Sequence, residues 1–212
     1  MTKHSRKLYN YHKIYYIKFE IIVNEGANRM KILIFSGSPR KNSNSQKVAE
    51  TAFHFFKSRG IDVLLYDLSA HVLPIFNGEE ETFAHPEVKH LQKIAEQADG
   101  FFFCTPEYHN GISGALKNAL DFLNRSHFDQ KPVSLTAISG GGKGGINALN
   151  NLRLVIRGVG GLVLPGQCVV DKTDLDDTGA VHEAVKERLA SVTEELIHYT
   201  ALLQKKQSTA TD

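Results

Sequence analysis

The chain has 212 residues, 42% of them hydrophobic, and a formal net charge of +2, enough apolar material for one well-buried core and too little length for two comfortable domains. The charge is unevenly placed: Lys3, Arg6, Lys7, Lys13, Lys18 and Arg29 face only Glu20 and Glu25 in the first 29 residues, which leaves the remainder mildly acidic at −2, without the basic footprint of a nucleic-acid binder. Two distant cysteines, Cys104 and Cys168, exclude a disulfide framework or a zinc ligand set and suit the reducing cytoplasm, and no apolar run approaches the roughly 20 residues of a membrane span.

Taken from the N-terminus, residues 1–29 read as an extension rather than as part of the fold. Four of the seven tyrosines fall there (Tyr9, Tyr11, Tyr15, Tyr16), and the composition changes abruptly at Met30. The extension is expected either to be disordered or to precede the true start at Met30, with a basic arm packed on the body or on a partner as the alternative. The folded domain is expected over residues 30–204, followed by a polar tail at 205–212.

From Met30 the chain alternates strands and helices. Lys31 to Phe35 is short and almost wholly apolar, as a parallel strand covered on both faces requires. Asn44 or Ser43 can cap a helix from Ser45 to Ser58, which Gly60 closes. A second strand spans Asp62 to Asp67, and after an irregular acidic segment a helix from Pro86 to Gln97 leads to the very hydrophobic strand Gly100 to Cys104. A helix from Ser113 to Leu123 and a strand from Pro132 to Ile138 follow. Next come a helix from Gly144 to Arg157, a strand near Gly161 to Leu164 or Cys168 to Val170, and a closing helix from Val181 to Leu203. Five such units imply an α/β fold: a doubly wound five-stranded parallel sheet with helices on both faces and the flavodoxin-like strand order 2-1-3-4-5. That order puts ligands beyond the carboxyl ends of strands 1, 3 and 4. The Ser113 helix carries more apolar surface than one face needs, from Ile112 and Ala115 to Phe122 and Leu123, and is expected to be buried in part in a subunit interface.

Three loops therefore carry the function. The first, Ser36 to Ser45, is rich in hydroxyls and amides and runs into a helix N-terminus, where backbone N–H groups and the helix dipole can hold a phosphate. Ser38, Asn44 and Ser45 add donors there and Arg40 adds charge. It matches neither a Walker A loop nor a Rossmann fingerprint, and it is equally the composition of an ordinary polar turn. The second, Thr105 to Ser113, offers the aromatic face of Tyr108 and exposed amides to a planar heterocycle. Glu107 and His109 could instead form an acid–base pair, but no nucleophile elbow lies beside them. The third, Ser139 to Gly145, holds five glycines in seven residues, so its backbone can pass close to a ligand. Lys143, followed by Gly144, is no Walker lysine and reads otherwise as a solvated or inter-subunit charge.

Three motifs together, G-S-P-R-x-x-S-N-S (Gly37 to Ser45), P-E-Y-H-N-G-I-S-G-A-L-K-N-A-L-D-F-L (Pro106 to Leu123) and S-G-G-G-K-G-G (Ser139 to Gly145), resemble the NADPH-dependent FMN reductase family, and within it the bacterial azobenzene and quinone reductases. The likeness runs from Met30 to about Leu203, and the middle motif is the most specific. It implies a flavodoxin fold, bound FMN, NADPH or NADH as donor, a small-molecule acceptor and a homodimer or homotetramer. Carried onto this chain, the resemblance puts Ser38, Arg40, Asn44, Ser45 and Gln46 around the FMN phosphate. Pro106, Glu107, Tyr108 and His109 lie along the isoalloxazine, and Ser139, Gly140, Gly141, Gly142 and Lys143 border its pyrimidine side. No side chain is needed as a catalyst, since the chemistry resides on FMN. Many family members have Asn where this chain has His109. Two alternatives remain at this point: an electron carrier of flavodoxin type, which should be more acidic than −2, and a non-enzymatic nucleotide-binding module.

Overall fold

The structure, a computed structural model, describes residues 29–141 and 144–209; the extension up to Asn28, Gly142, Lys143 and the last three residues lie outside the described residues. Five strands form one parallel sheet in the order β2-β1-β3-β4-β5, as the alternation of strands and helices requires: β1 Lys31–Ser36, β2 Asp62–Asp67, β3 Gly100–Pro106, β4 Pro132–Ser139 and β5 Leu162–Asp171. The central β3 is buried along its whole length, which is why Gly100 to Cys104 shows no polar alternation.

The side-chain alternation of the strands divides the core in two. Leu33, Phe35, Phe101, Phe103 and Leu135 meet α3 (Pro86–Gln97), α4 (Gly114–Asp121) and α6 (Ile146–Gly158) on one face, and Phe35 stacks on Phe103 at 4.7 Å. Ile32, Ile34, Phe102, Cys104 and Cys168 meet α1 (Asn44–Ser58) and α7 (Glu183–Thr209) on the other. The N-cap of α1 is Ser43, whose hydroxyl accepts from the Gln46 N–H at 3.1 Å, and Gly60, at φ +72, follows its end.

Several boundaries differ from expectation, each for a local reason. The two strand fragments after α6 are a single strand, because β5 bulges at Pro165 and Gly166 and resumes pairing, with Leu135 opposite Gln167. Helix α6 starts at Ile146, since Gly145 is held at φ +97, outside helical space. Helix α7 begins at Glu183 because Val181 bridges Leu175, and it continues past Leu203 to Thr209 with no Gly or Pro to stop it. A short helix, α2 (Glu80–Ala84), arises within the acidic segment expected to be irregular, and a second, α5 (Arg125–Phe128), and one 3₁₀ turn (Lys172–Asp174) arise between elements where no structure was expected or excluded. Helix α4 ends at Asp121, and its apolar surplus is consumed within the chain: Leu116, Ala119, Leu120, Phe122 and Leu123 are buried. Phe76 and Phe83 from the segment after β2 pack edge-on against Phe122. The apolar surface of α4 therefore does not itself mark a subunit interface.

Among the described residues no helix is long and apolar enough to cross a membrane, and both cysteines are free and buried. Burial pushes the Cys104 thiol well above its ordinary range and Cys168 up to about 11 from 9.0. A group that holds its proton more tightly when folded contributes stability that is complete below its unfolded pKa and lost as pH rises through the folded value. Urea midpoints are therefore expected to fall as the pH rises from 9.0 through about 11, and to fall less steeply in a Cys168→Ala variant measured over the same range.

Candidate functional site

The carboxyl ends of β1, β3 and β4 converge, and the three loops leaving them are tied to one another by side chains. Gly37 follows β1 directly. Its N–H donates to the Cys104 carbonyl at 2.7 Å, and its own carbonyl accepts from Ser113 Oγ, the hydroxyl that also caps α4 by accepting from the Leu116 N–H at 3.0 Å. Ser38 is buried, its Oγ accepting from the Arg40 N–H at 3.2 Å and lying 3.4 Å from the Tyr108 hydroxyl. The first and second loops are thus joined at Ser113 and again at Tyr108.

The entry to α1 is left with unmet donors. The N–H groups of Asn44 and Ser45 open the helix and have no acceptor among the described residues, as the first turn of any helix requires of something outside it. The Asn44 amide and the exposed Arg40 guanidinium are likewise without a partner among the described residues. Gln46 is different: its Oε1 accepts from the Asn42 N–H at 3.1 Å, holding Asn42 at φ +54. Beneath the turn, the Cys104 thiol, kept protonated by burial, donates to the Ser45 carbonyl at 3.2 Å.

In the second loop Tyr108 and Gly111 exchange backbone hydrogen bonds at 2.9 and 3.0 Å. The two residues between them, His109 (φ +50) and Asn110 (φ +63), are both left-handed. This is the backbone of a type I′ turn, which asparagine and glycine adopt most readily and histidine more readily than most side chains. The exchange of Asn for His at position 109 is therefore a change within the small set that the turn accepts. The Asn110 side chain accepts from Asn147 at 3.2 Å, joining this turn to α6. Glu107 is committed to α6: its Oε2 accepts from the Ala148 N–H at 2.9 Å, supplying the start of that helix with the acceptor that its glycine N-cap lacks.

The glycines of the third loop divide into two classes. A β-carbon on Gly145, held at φ +97, would lie 2.7 Å from Val169 Cγ1, so this glycine is required by the fold; one on Gly144 would lie 2.9 Å from Glu107 Oε1 and 3.0 Å from Ser139 Cβ, so those side chains would have to shift. Gly140 and Gly141 have ordinary φ values and, among the described residues, nothing within 4 Å of an added β-carbon. Ser139, buried at the end of β4, donates to Asp171 Oδ2 at 2.8 Å. Sequence reasoning did not single out Gly37, Ser113 or Asp171, the residues that hold these loops. Ser113 carried a signal, since it precedes an apolar helix as an N-cap serine does. No group of three or more His, Cys, Asp or Glu among the described residues could hold a metal ion.

The profile of the NADPH-dependent FMN reductase family matches residues 30–175. An NADPH azoreductase of Bacillus sp. (strain OY1-2) is 42% identical over 176 residues, which cover 83% of this chain and 96% of that protein. An FMN-dependent NADPH-azoreductase of Staphylococcus aureus (strain USA300) is 35% identical over 149 residues, 68% of this chain and 79% of its own length. Among solved structures, the flavoenzyme NAD(P)H:(acceptor) oxidoreductase FerB from Paracoccus denitrificans superposes with a TM-score of 0.68 at 22% identity, covering 81% of this chain and 97% of that one.

The two glycine classes are separable by experiment. Gly145→Ala is expected to cost about 2 kcal/mol or more, from left-handed strain together with the Val169 clash, whereas Gly141→Val is expected to stay within about 0.5 kcal/mol of the parent. Urea denaturation of the two variants followed by circular dichroism checks the difference.

Proposed function

The chain belongs to the NADPH-dependent FMN reductase family, and on that premise we propose that the loops after β1, β3 and β4 bind FMN and that the protein passes two electrons from NAD(P)H to small acceptors such as quinones or azo compounds. The observation that carries this reading is the entry to α1, where the Asn44 and Ser45 N–H groups, the Asn44 amide and the Arg40 guanidinium have no partner among the described residues. Two N–H donors at the positive end of a helix, with an exposed arginine in the loop that leads to them, match the charge and shape of a phosphate monoester.

The donor set along the cleft suits the remainder of the cofactor. Tyr108 offers an aromatic edge fixed by Ser38, and the empty surroundings of Gly140 and Gly141 allow a ring to approach the backbone. Ser38, Arg40, Asn44 and Ser45 would hold the phosphate, with Gln46 acting through the turn that it fixes at Asn42. Pro106 to His109 would lie along the isoalloxazine, with Glu107 holding α6 in position. Ser139 to Gly141 would border the pyrimidine side, and Gly142 and Lys143 join this set on their sequence positions alone. When bound, FMN supplies the two-electron chemistry, taking a hydride from the nicotinamide and passing the electrons to the acceptor. The protein's part is to bind, to orient and to leave one flavin face open to donor and acceptor in turn, a sharing that gives ping-pong kinetics. Hydrolysis by Glu107 and His109 loses support, because the Glu107 carboxylate is engaged by α6 and the Ser113 hydroxyl by Gly37.

A cytoplasmic setting is part of the same proposal, supported by two free buried thiols and a dependence on NAD(P)H. So is a homodimer or homotetramer, for which the strongly exposed Ile75 and Leu154 supply apolar surface.

Purified protein is expected to be yellow, to lose its oxidised-flavin absorbance on anaerobic addition of NADPH, and to regain it on addition of a quinone. A preparation that stays yellow with NADPH, and bleaches only with a protein reductase, is the electron carrier instead. Arg40→Ala is expected to weaken FMN retention by about tenfold, the lower end for a charge-assisted contact at an exposed site, with the choice of acceptor unchanged; equilibrium dialysis against FMN measures the first and steady-state kinetics the second.

A further inference from the structure

On the side of β1 away from β3, an open groove of about 600 Å³ lies between the loop after β1 and the segment after β2. Lys41 and Gln46 border it on one side and Asp67, Ser69, Ala70 and Val72 on the other. None of these except Gln46 belongs to the proposed FMN cradle, and none comes from the loop after β3.

The wall formed by the segment after β2 is built in advance. Asp67 closes a tight turn by accepting from the Ser69 N–H at 3.1 Å and from Ser69 Oγ at 2.8 Å. His71 stacks on the Tyr66 ring at 4.4 Å and pairs with Glu87 at 2.9 Å. Farther along, the Asn118 side chain binds both the Pro74 carbonyl and the Phe76 N–H. A groove so braced does not need to form around its ligand, which lowers the ordering cost of binding.

Three kinds of group meet in it. Lys41 is an exposed cation with no ion pair among the described residues, and Arg40 precedes it. Each Asp67 oxygen accepts one bond and has a lone pair left for a hydroxyl donor. Ala70 and Val72 make an apolar wall, and Val72 is 75% exposed. A simple anion has no use for the carboxylate or the wall, and an apolar ligand has none for the lysine. A phosphorylated nucleoside uses all three, through its phosphate, its sugar hydroxyls and its base.

We propose that this groove binds the adenosine end of NADPH, with Lys41 contacting the 2′-phosphate, Asp67 accepting from a ribose hydroxyl and Val72 backing the adenine. The proposal rests on the reductase reading and makes Lys41 the residue that favours NADPH over NADH. Without the 2′-phosphate the donor keeps its Asp67 and Val72 contacts, loses the ionic one and gains a 2′-hydroxyl that Asp67 can also accept from, so the preference is one of degree.

The test uses FMN-loaded protein and isothermal titration calorimetry with 2′-AMP, 5′-AMP and inorganic phosphate. The parent protein is expected to bind 2′-AMP more tightly than either control. Lys41→Ala is expected to weaken 2′-AMP binding by about tenfold, the scale of one partly exposed charge-assisted contact. It should raise the KM for NADPH by a similar factor and leave the KM for NADH and FMN retention unchanged. Ala70→Trp, which fills the groove from an exposed position, is expected to raise KM for both donors. Equal binding of 2′-AMP and 5′-AMP, or equal 2′-AMP affinity in the parent and Lys41→Ala, overturns the proposal even if NADPH is oxidised normally. Lys41-dependent binding of 2′-AMP in a protein that does not oxidise NADPH supports the groove and removes the reductase reading instead.

Discussion

Gly37 leaves β1 through a gap tighter than most side chains tolerate. A β-carbon there would lie 3.1 Å from both the Cys104 carbonyl oxygen and Leu116 Cδ2, and both polar backbone groups of the residue are engaged, one by the end of β3 and the other by the cap of α4. This close approach brings the loop after β1 against the loop after β3. Without it the N-terminus of α1 and the aromatic face of Tyr108 would be two separate surface features. With it the two loops adjoin, and the Ser38–Tyr108 contact becomes geometrically possible.

Around that joint the polar side chains fall into two groups. Ser113, Glu107, Ser139 and Gln46 spend their hydrogen bonds on the protein itself, fixing respectively α4, α6, the end of β5 and the turn at Asn42. Arg40, Asn44 and Lys41 make no such commitment among the described residues. The loops are therefore held by hydrogen bonds where they touch the scaffold and leave donors unmet, among the described residues, at the α1 entry. Positive groups collect at the β1 loop, where the helix dipole and the side-chain charges have the same sign, the electrostatics that the proposed phosphate site requires.

Much of the fold was legible because local signals agreed with one another. The strand Asp62–Asp67 and the helix Pro86–Gln97 appear with the bounds that periodicity and their breakers implied, and α1 differs from expectation by one residue at its start. Strand β5 was not legible, since Pro165 and Gly166 look like a chain break unless Glu195, 29 residues away, takes up the Gly166 N–H. The same limit governs the site. Hydroxyl-rich and glycine-rich loops point to a ligand by composition, but the direction of a side chain depends on distant partners: Glu107 on Ala148, and Ser113 on Gly37, 76 residues earlier. Nor does composition separate Gly145, where φ +97 and Val169 both oppose a side chain, from Gly141, which meets nothing among the described residues.

The bulge in β5 also bears on how the molecule behaves in crowded solution. A sheet of five strands in an open order has two rims, and each is a template on which a foreign strand could extend the ladder. The β5 rim is blunted: its bulge breaks the regular spacing of free groups, Pro165 has no N–H to offer, and the Gly166 N–H is already taken by Glu195. The β2 rim has no bulge, pairs with β1 in unbroken register from Asp62 to Asp67, and exposes Leu64 at its middle. Protection there falls to Asp62 and Asp67, whose charges at the two ends repel an incoming strand of like sign. Unwanted strand addition, and with it the start of aggregation, is thus directed to one side of the sheet, the side that adjoins the nucleotide groove.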